Sequence, residues 1–186
     1  MKNSLLMIRE QKNTLRKFIK EQKKKISPKE KQRRSGIIWN KLEQDNTFRN
    51  ACTLMIYWSM KDEVHTHDFI QKWHPSKQII LPVVNGNHLD LKIYAGPESM
   101  KKGQSFGILE PEGESFTELQ DIDLIIVPGV AFDKNNNRLG RGKAYYDKLL
   151  NYVNCHKYGV CFDFQLVPNV PADQHDVKMD KVITDS

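Results

Sequence analysis

The residues best suited to chemistry stand in one short segment, where Arg138, Arg141 and Lys143 alternate with Gly140 and Gly142. Glycines let a backbone approach an anion closely, and Lys and Arg side chains neutralise the charge of that anion. Backbone N–H groups at the start of a helix also bind anions. The segment therefore predicts phosphate binding, although a solvent-exposed loop with glycines at its turns fits the same composition.

The flanks of this loop indicate which elements position it. Residues 124–127 are apolar and largely β-branched, which predicts a strand buried on both faces, and Pro128-Gly129 ends it. After the loop, Tyr145, Leu149 and Val153 recur at helical spacing, with Tyr146 and Leu150 beside them. The unit is strand, loop, helix. It matches neither the P-loop, because Ala144 follows Lys143, nor the dinucleotide fingerprint, because the third glycine is missing.

Residues 124–150 as a whole resemble the signature of the 5-formyltetrahydrofolate cyclo-ligase family, whose usual form is close to VPG-x-x-F-D-x-x-G-x-R-L-G-R-G-x-G-Y-Y-D. This chain departs from the pattern at two places. Asn136 or Asn137 occupies a turn where the family usually has Gly, and Asn tolerates the left-handed conformation. Ala144 also stands where Gly is usual. We expect Ala144 to lie in the first turn of a helix, where Ala is favourable, rather than at a positive φ.

The N-terminal part of the chain is strongly basic. Residues 1–34 hold 13 Lys/Arg and 3 Asp/Glu, a balance of +10, so the rest of the chain carries −4 of the net charge of +6. Apolar residues recur at helical intervals at Ile8, Leu15, Ile19 and Ile26, which predicts an amphipathic helix. The basic arm has two interpretations: a nucleic-acid or membrane contact, or a solvated helix pair that supplies cations to a bound polyphosphate.

Lys12 and Arg16 lie four residues apart on one face of that helix, so both could reach one anion. The segment Lys12-Asn-Thr-Leu-Arg16 resembles the family's N-terminal Lys-x-x-Leu-Arg, which implies contact with ATP. Similarly, Trp58 and the following Ser59-Met-Lys-Asp-Glu63 resemble the family's Ser-Met-x-x-Glu, where these positions line the reduced-folate pocket. Without the resemblance, Glu63 would be interpreted as a surface residue of a turn.

The resemblance also implies a Mg²⁺ site. Asp147 ends the signature, and Asp176 precedes a closing 182–184 segment that resembles the family's Val-Ile-Thr strand. Magnesium takes one or two carboxylates together with phosphate oxygens and waters, so two distant Asp residues suffice if the fold unites them. The alternatives are a first-turn helix carboxylate for Asp147 and a surface turn for Asp176. His65, His67, His74 and His88 lack a third ligand at zinc spacing, and we expect structural or exposed roles for them.

Length and cysteine usage set further limits. A chain of 186 residues predicts one domain over residues 1–186, with the basic helices at about 1–45 packed on it. The three cysteines form no CxxC pair, which indicates reduced thiols. No apolar stretch approaches the roughly 20 residues of a membrane span. We expect a cytoplasmic monomer without nucleic-acid or membrane partners.

Strands alternating with helices predict an α/β fold with three layers, αβα. Strands are expected at 53–58, 78–84, 89–94 and 157–162, with a hairpin at Asn85-Gly86, and Thr66 as the cap of a short helix. No helix is predicted for 96–121, where residues 106–111 resemble a family motif that borders the substrate pocket; an apolar loop is the favoured interpretation. The resemblance specifies the sheet as similar to that of NagB, ribose-phosphate isomerase (RpiA) and CoA transferase.

The activity that the resemblance implies is ATP- and Mg²⁺-dependent cyclisation of 5-formyltetrahydrofolate to 5,10-methenyltetrahydrofolate. Arg141, Lys143 and Tyr145 are the expected catalytic residues, and Trp58, Glu63, Arg141 and Tyr145 the expected folate contacts. ATP is expected to bind Lys12 and Arg16 together with Arg138, Leu139, Gly140, Arg141, Gly142, Lys143, Ala144, Tyr145 and Tyr146. Two rival functions are an ATP-using enzyme for another formylated or pterin-like substrate, and a nucleic-acid-binding protein, which would leave residues 145–147 unexplained.

Overall fold

The computed structural model describes residues 2–103, 107 and 109–186, with side chains from Leu6 onward. The helices are α1 Lys2–Lys24, α2 Pro28–Glu43, α3 Asn46–Asn50, α4 His67–Trp73 and α5 Tyr145–Leu150. The strands are β1 Thr53–Met55, β2 Gln78–Asn85, β3 His88–Ile93, β4 Met100–Lys102, β5 Leu109–Pro111, β6 Leu124–Pro128, β7 Ala131–Asp133, β8 Arg138–Leu139, β9 His156–Val160, β10 Leu166–Val167 and β11 Lys181–Ile183. Short 3₁₀ turns occur at Pro97–Ser99, Leu119–Asp121 and Asp163–Gln165.

A six-stranded sheet in the order β11-β9-β6-β1-β2-β3 forms the centre of the fold. All neighbours in it are parallel except β2 and β3. Strand β6 alternates between the two hydrophobic clusters of the core: Leu124 and Ile126 belong to one, Ile125 and Val127 to the other. The apolar run at 124–127 is thus buried on both faces, as predicted. Helices α2, α3 and α4 cover one face and α5 the other, which confirms the α/β prediction.

The two N-terminal helices agree in part with the sequence predictions. In α2, Ser27 Oγ accepts a hydrogen bond from the backbone N–H of Glu30 at 3.2 Å, and Pro28 occupies the first turn, where its missing N–H has no cost. In α1, Ile19 of the predicted apolar stripe is fully buried. Ile26, however, lies beyond the end of α1 at Lys24.

The hairpin between β2 and β3 turns at Gly86, which has a φ of 56°, and Asn85 pairs with His88. Pro82 lies beyond the residues of β2 that pair with β1, so its missing N–H breaks no hydrogen bond there. The short helix predicted after Thr66 is confirmed, and Thr66 occupies its N-cap position. Thr66 precedes α4 without a capping hydrogen bond, because its hydroxyl donates to Tyr57 O at 2.9 Å and accepts from Ser59 N at 3.0 Å.

Between residues 96 and 121 the described part of the chain contains no α-helix, as expected, and β4 pairs there with β5. The family motif at 106–111 falls partly outside the described residues, because Phe106 and Ile108 are not among them. Within the part of the chain that the structure covers, no helix is long and apolar enough to cross a membrane.

Candidate functional site

The site lies beyond the carboxyl ends of two neighbouring central strands, β1 and β6, whose chain connections run to opposite sides of the sheet. Strands β1 and β6 are neighbours, yet the chain passes from β1 through α4 to β2 on one side and from β6 through α5 to β9 on the other. Such a reversal opens a crevice beyond the carboxyl ends of the strands, which is where open α/β sheets bind ligands. Residues 57–63 follow β1 and residues 129–147 follow β6, so the crevice brings together the two predicted segments.

A buried carboxylate shapes the loop after β6. Asp133 accepts hydrogen bonds from the backbone N–H groups of Asn135 at 2.9 Å and Asn137 at 3.0 Å, and from Val170 N at 2.9 Å. Burial raises the pKa of Asp133, but a hydrogen bond from the Asn137 side-chain amide at 2.9 Å, together with these backbone bonds, outweighs it and holds the pKa below its ordinary value. Asn136 has a φ of 62°, so Asn does occupy a left-handed position in this turn. The turn returns the chain as β8 and places Arg138 opposite Phe132.

Ala144 differs from the prediction. It is the residue before α5 rather than part of its first turn, with φ 55° and ψ 19° in the left-handed region. A Cβ atom in this conformation clashes with the backbone at a cost of roughly 1–2 kcal/mol, which a glycine avoids. The helical pattern correctly began at Tyr145, but it did not reveal that the preceding residue closes the loop with a positive φ.

A cavity of about 250 Å³ occupies the crevice. We call it the apolar pocket, because tyrosine, tryptophan, proline and aliphatic side chains form most of its wall. It is lined by Tyr57, Trp58, Met60, Glu63, Pro82, Val84, Leu89, Pro128, Gly129, Arg138, Gly140, Arg141, Lys143, Ala144, Tyr145, Tyr146 and Asp147. The Trp58 ring stacks on His67 with 4.0 Å between ring centroids. Flat aromatic walls with a few polar groups suit a flat heterocyclic ligand.

The buried polar groups around Arg138 in this pocket include an ion pair with Asp147 and two hydrogen-bonding groups without a partner among the described residues. Arg138 is 4% exposed; its Nη2 donates to Asp147 Oδ1 at 2.8 Å and its Nη1 to Pro128 O at 3.2 Å. Arg138 Nε and the Tyr146 hydroxyl are buried without a partner among the described residues. Burial raises the pKa of Tyr146, so its phenol stays neutral and can donate. Unpaired buried donors in a cavity wall mark a place for an acceptor atom of a ligand.

A second cavity, of about 430 Å³, lies between α1 and the loop. It is lined by Ile8, Arg9, Lys12, Asn13, Arg16, Arg141, Gly142 and Asp173, and we call it the cationic cavity. Arg16 Nε donates to Gly140 O at 2.9 Å and so ties α1 to the loop. Gly142 has a φ of 96°, a conformation that favours glycine, and it lies against the Arg16 guanidinium.

Lys12 makes the second tie between α1 and the body. Its Nζ lies 2.8 Å from Asp173 Oδ2 and 2.5 Å from Asp176 Oδ2. Burial lowers the pKa of Lys12, but the two carboxylates outweigh burial and leave the pKa above its ordinary value. The same ion pair lowers the pKa of Asp173. Lys12 and Arg16 therefore line one cavity, as their spacing predicted, although Lys12 is already paired.

Arg141 separates the two cavities and lines both. Its Nη2 donates to Asp62 Oδ1 at 2.8 Å and to Glu63 Oε1 at 2.9 Å, and its Nε donates to Glu63 Oε1 at 3.2 Å. Glu63 Oε2 accepts from the backbone N–H of Met60 at 3.0 Å. Glu63 is thus a buried residue of the pocket wall with fixed partners, and not the surface residue that its local sequence would suggest.

Of the remaining predicted residues, Lys143 and Tyr145 line the apolar pocket, whereas Leu139 lies in the core. Lys143 is exposed at the edge of the apolar pocket and forms no ion pair within the described residues. Tyr145 lines the same pocket and its hydroxyl donates to Gly86 O at 3.2 Å. Leu139 is 1% exposed, packs with Ile19, and lines neither cavity.

The two expected magnesium ligands lie near each other without forming a metal cluster. Val177 N is 3.5 Å from Asp147 Oδ1, so the segment after Asp176 packs against Asp147. Each carboxylate is paired with a cation: Asp147 with Arg138 and Asp176 with Lys12. Across the residues that the structure covers, no group of three or more His, Cys, Asp or Glu side chains is arranged to hold a metal ion.

Sequence reasoning missed several residues of the site, among them Asp62, which binds Arg141, and Asp173, which binds Lys12. It also missed Lys23, whose Nζ lies 3.1 Å from Asp62 Oδ2. Asp62 lies next to Glu63, and Asp173 precedes Asp176 by three residues, so proximity to predicted residues was an available signal for both. Lys23 has no such signal, because it is one of several lysines near the end of α1.

Comparison with known proteins agrees with this geometry. The sequence profile of the 5-formyltetrahydrofolate cyclo-ligase family matches residues 8–185. The 5-formyltetrahydrofolate cyclo-ligase of Mus musculus is 33% identical over 187 residues, covering 92% of each chain. The NMR structure of the Aquifex aeolicus 5,10-methenyltetrahydrofolate synthetase has a TM-score of 0.84 and 36% identity, covering 94% of this chain and 89% of that one. The Mycoplasma pneumoniae 5,10-methenyltetrahydrofolate synthetase has a TM-score of 0.75 and 26% identity, covering 94% and 99%. This chain belongs to the 5-formyltetrahydrofolate cyclo-ligase family.

Proposed function

We propose that this protein catalyses the ATP-dependent cyclisation of 5-formyltetrahydrofolate to 5,10-methenyltetrahydrofolate, with release of ADP and phosphate. The observation that carries the proposal is the pair of adjoining cavities that share Arg141: an aromatic one suited to a pterin and a cationic one suited to a polyphosphate. The family to which the chain belongs supports the same reaction.

The reaction needs activation because an amide-like formyl oxygen is a poor leaving group. In the first step the formyl oxygen takes the γ-phosphoryl group and ADP departs. N10 then attacks the formyl carbon and loses its proton, and the carbon–oxygen bond breaks as phosphate leaves. Neither step requires a covalent bond to the protein. The protein must align the γ-phosphate with the formyl oxygen and offset the charge that develops between them.

The positions of the side chains support a division of labour. We assign the nucleotide to Lys12, Arg16 and the loop residues 140–146, of which Arg141 and Gly142 line the cationic cavity. We assign the folate to Trp58, Glu63 and Tyr145 in the apolar pocket. Arg141 lines both cavities and Lys143 stands at the edge of the apolar pocket, and we expect these two cations to meet the transferring phosphoryl group. Arg138 has a different role: it is buried and holds Asp147, so it supports the loop. Leu139 contributes at most its backbone.

Magnesium fits this site only in company with the nucleotide. Asp147 Oδ2 and Asp176 Oδ1 accept no hydrogen bond from any described residue, so each carboxylate keeps one oxygen available. One or two carboxylate oxygens together with phosphate oxygens and waters satisfy Mg²⁺. We therefore propose Asp147 and Asp176 as the protein's ligands. The bound ion would supply charge neutralisation at the phosphates.

Several sequence predictions stay proposals. We propose one domain over residues 1–186, a cytoplasmic monomer, and no nucleic-acid or membrane partner. The closeness of α1 to the loop gives its basic residues a role in holding the nucleotide, which supports the proposal that the arm does not serve nucleic acid.

The direct test mixes the protein with 5-formyltetrahydrofolate, Mg²⁺ and ATP and follows the absorbance of the methenyl product, omitting ATP or Mg²⁺ as controls. Turnover is expected to require both. Lys143→Ala is expected to lower kcat/KM by about 10²–10³-fold, the usual effect of removing one group that stabilises a transition-state charge. Lys134→Ala, an exposed lysine that lines neither cavity, should leave the rate within about twofold. Absence of ATP-dependent turnover would reject the proposed reaction.

A further inference from the structure

Arg141 has a position that no other described residue shares. It lines the apolar pocket, the cationic cavity and a third cavity of about 470 Å³ beside α1. We call the third cavity the lysine groove, after its lining residues Arg16, Ile19, Lys20, Lys23, Lys24, Lys31, Asp62, Val130 and Arg141. The guanidinium therefore stands where three spaces meet, and its orientation decides which of them its donors serve.

The backbone around Arg141 does little to fix that orientation. Gly140 and Gly142 flank it, and its side chain is 41% exposed. The carboxylates of Asp62 and Glu63 hold it instead, through Nη2 and Nε. A guanidinium has five N–H donors in a rigid fork. Nη1 of Arg141 has no partner among the described residues, so its donors stay available to a ligand.

Asp62 is itself fixed from its other side. Lys23 Nζ lies 3.1 Å from Asp62 Oδ2, while Arg141 binds Asp62 Oδ1. Lys23 is 5% exposed in the last turn of α1. Burial lowers the pKa of Lys23, and the nearby Asp62 carboxylate opposes that effect. A buried ammonium is expensive unless it is paired, so Asp62 is the group that makes the burial of Lys23 tolerable.

We propose that Asp62 is a positioning residue that acts through Arg141, with Lys23 as its buried counter-ion. By binding Nη2 of Arg141 beside Glu63, Asp62 turns the free Nη1 donors toward the junction where the nucleotide phosphates meet the second substrate. The proposal rests on the proposed function for the identity of the two ligands. It adds two residues, Lys23 and Asp62, to the apparatus that aligns the phosphoryl group.

A purely structural role for Asp62 would give a different result. If Asp62 served only to fasten α1 through Lys23, its loss would act independently of Arg141. If it acts through Arg141, its loss should have little effect once the Arg141 guanidinium is gone. A double-mutant cycle distinguishes the two, because it measures the coupling between two side chains.

The experiment measures the Kd of a non-hydrolysable ATP analogue for the unmodified protein, Asp62→Asn, Arg141→Met and the double variant. Asp62→Asn is expected to weaken binding about tenfold, the scale of one charge-assisted hydrogen bond. In the Arg141→Met background the same change should alter Kd less than about twofold. Asp163→Asn is the matched control, since it removes a carboxylate paired with Arg34 away from the three cavities.

The proposal would be overturned if Asp62→Asn changed the Kd by the same factor in both backgrounds. It would also be overturned if Asp62→Asn alone bound the ATP analogue as tightly as the unmodified protein. Unfolding midpoints of all four proteins show whether each variant is folded. Lys23→Met removes the counter-ion of Asp62 and should also raise the Kd of the ATP analogue.

Because the cycle measures nucleotide binding, it does not depend on folate turnover. Coupling without formation of the methenyl product would uphold the role of Asp62 and reject the proposed reaction. Normal turnover without coupling would uphold the reaction and reject the role of Asp62.

Discussion

The apolar pocket and the cationic cavity adjoin at Arg141 but are constructed differently. The pocket is walled by residues that continue directly from central strands: Tyr57 and Trp58 follow β1, and Pro128 ends β6. One wall of the cationic cavity is α1, which carries Lys12 and Arg16 and packs on the body through the small cluster around Ile19. Its polar ties to the site are side-chain contacts of Lys12, Arg16 and Lys23.

This difference indicates how the two cavities respond to change. Packing fixes the pocket before any ligand binds, so damage to its buried polar groups should reduce the stability of the whole fold. The Lys12 pairs that hold the cationic cavity are less deeply buried than the Arg138 pair, so we expect them to contribute less to folding. Changes there should act on ligand affinity and leave the core intact. The predictions below test this contrast by comparing free energies of unfolding.

The largest effect on stability is expected at Arg138 in the floor of the pocket. Arg138→Met removes one partner of a buried ion pair and leaves Asp147 without its cation. Breaking such a pair is expected to lower the free energy of unfolding by about 3 kcal/mol. Denaturant unfolding would measure it, with Lys143→Ala as the control that should change stability by less than about 0.5 kcal/mol. Equal losses of unfolding free energy in Arg138→Met and Lys143→Ala would contradict the expected difference between the buried pocket and its exposed edge.

A gain of stability is expected at Ala144. Replacing it with Gly relieves the cost of a left-handed Ala, although Gly loses more backbone entropy on folding. The net expectation for Ala144→Gly is a rise of about 1 kcal/mol in the free energy of unfolding. Ala51→Gly is a control of opposite sign, because Ala51 has a φ of −63° and should lose stability. Destabilisation by Ala144→Gly would show that the loop is not strained there.

The smallest effect on stability is expected at the Lys12 tie, and it should depend on pH. The ion pair depresses the pKa of Asp173 below 3.8, so this stabilisation is present above that pH and is lost as pH falls through the lower folded value. The pKa of Lys12 is raised above 10.5, so its part is complete below that pH and is lost only as pH rises through the higher folded value. The tie is at full strength from about pH 4 to about pH 10.5.

Lys12→Met should therefore lower the free energy of unfolding by about 0.5 kcal/mol at pH 7 and by less at pH 3. The exposed Lys17→Met in the same helix serves as the control, with no such change between the two pH values. A Lys12→Met difference that is constant from pH 7 to pH 3 would contradict the assigned pairing.

Much of the fold was predictable because its signals are local. The apolar run at 124–127, the turn at Asn136 and the start of α5 at Tyr145 follow from residue types in short windows, and the structure agrees with each. Composition and spacing also indicated the cationic loop, whereas the ATP contacts of Lys12 and Arg16 were implied by the family resemblance, and both assignments stay proposals. These signals need no knowledge of distant parts of the chain.

What could not be predicted depends on which distant groups meet. Lys20 and Lys23 are the same residue type in the same helix, yet only Lys23 meets Asp62 and is buried. The pairing of Arg138 with Asp147 moves an expected phosphate ligand into the floor of the pocket. The positive φ of Ala144 arises from the closure of a loop between β8 and α5, which no propensity of Ala would indicate.

The most direct test of the two-cavity account measures the Kd of 5-formyltetrahydrofolate and of a non-hydrolysable ATP analogue for Arg16→Met and Trp58→Leu. Arg16→Met should weaken the nucleotide about tenfold and the folate less than twofold, because Arg16 lines the cationic cavity and not the apolar pocket. Trp58→Leu should do the reverse, since it removes an aromatic wall of the other cavity. Two variants that weaken the same ligand would contradict the assignment of one substrate to each cavity.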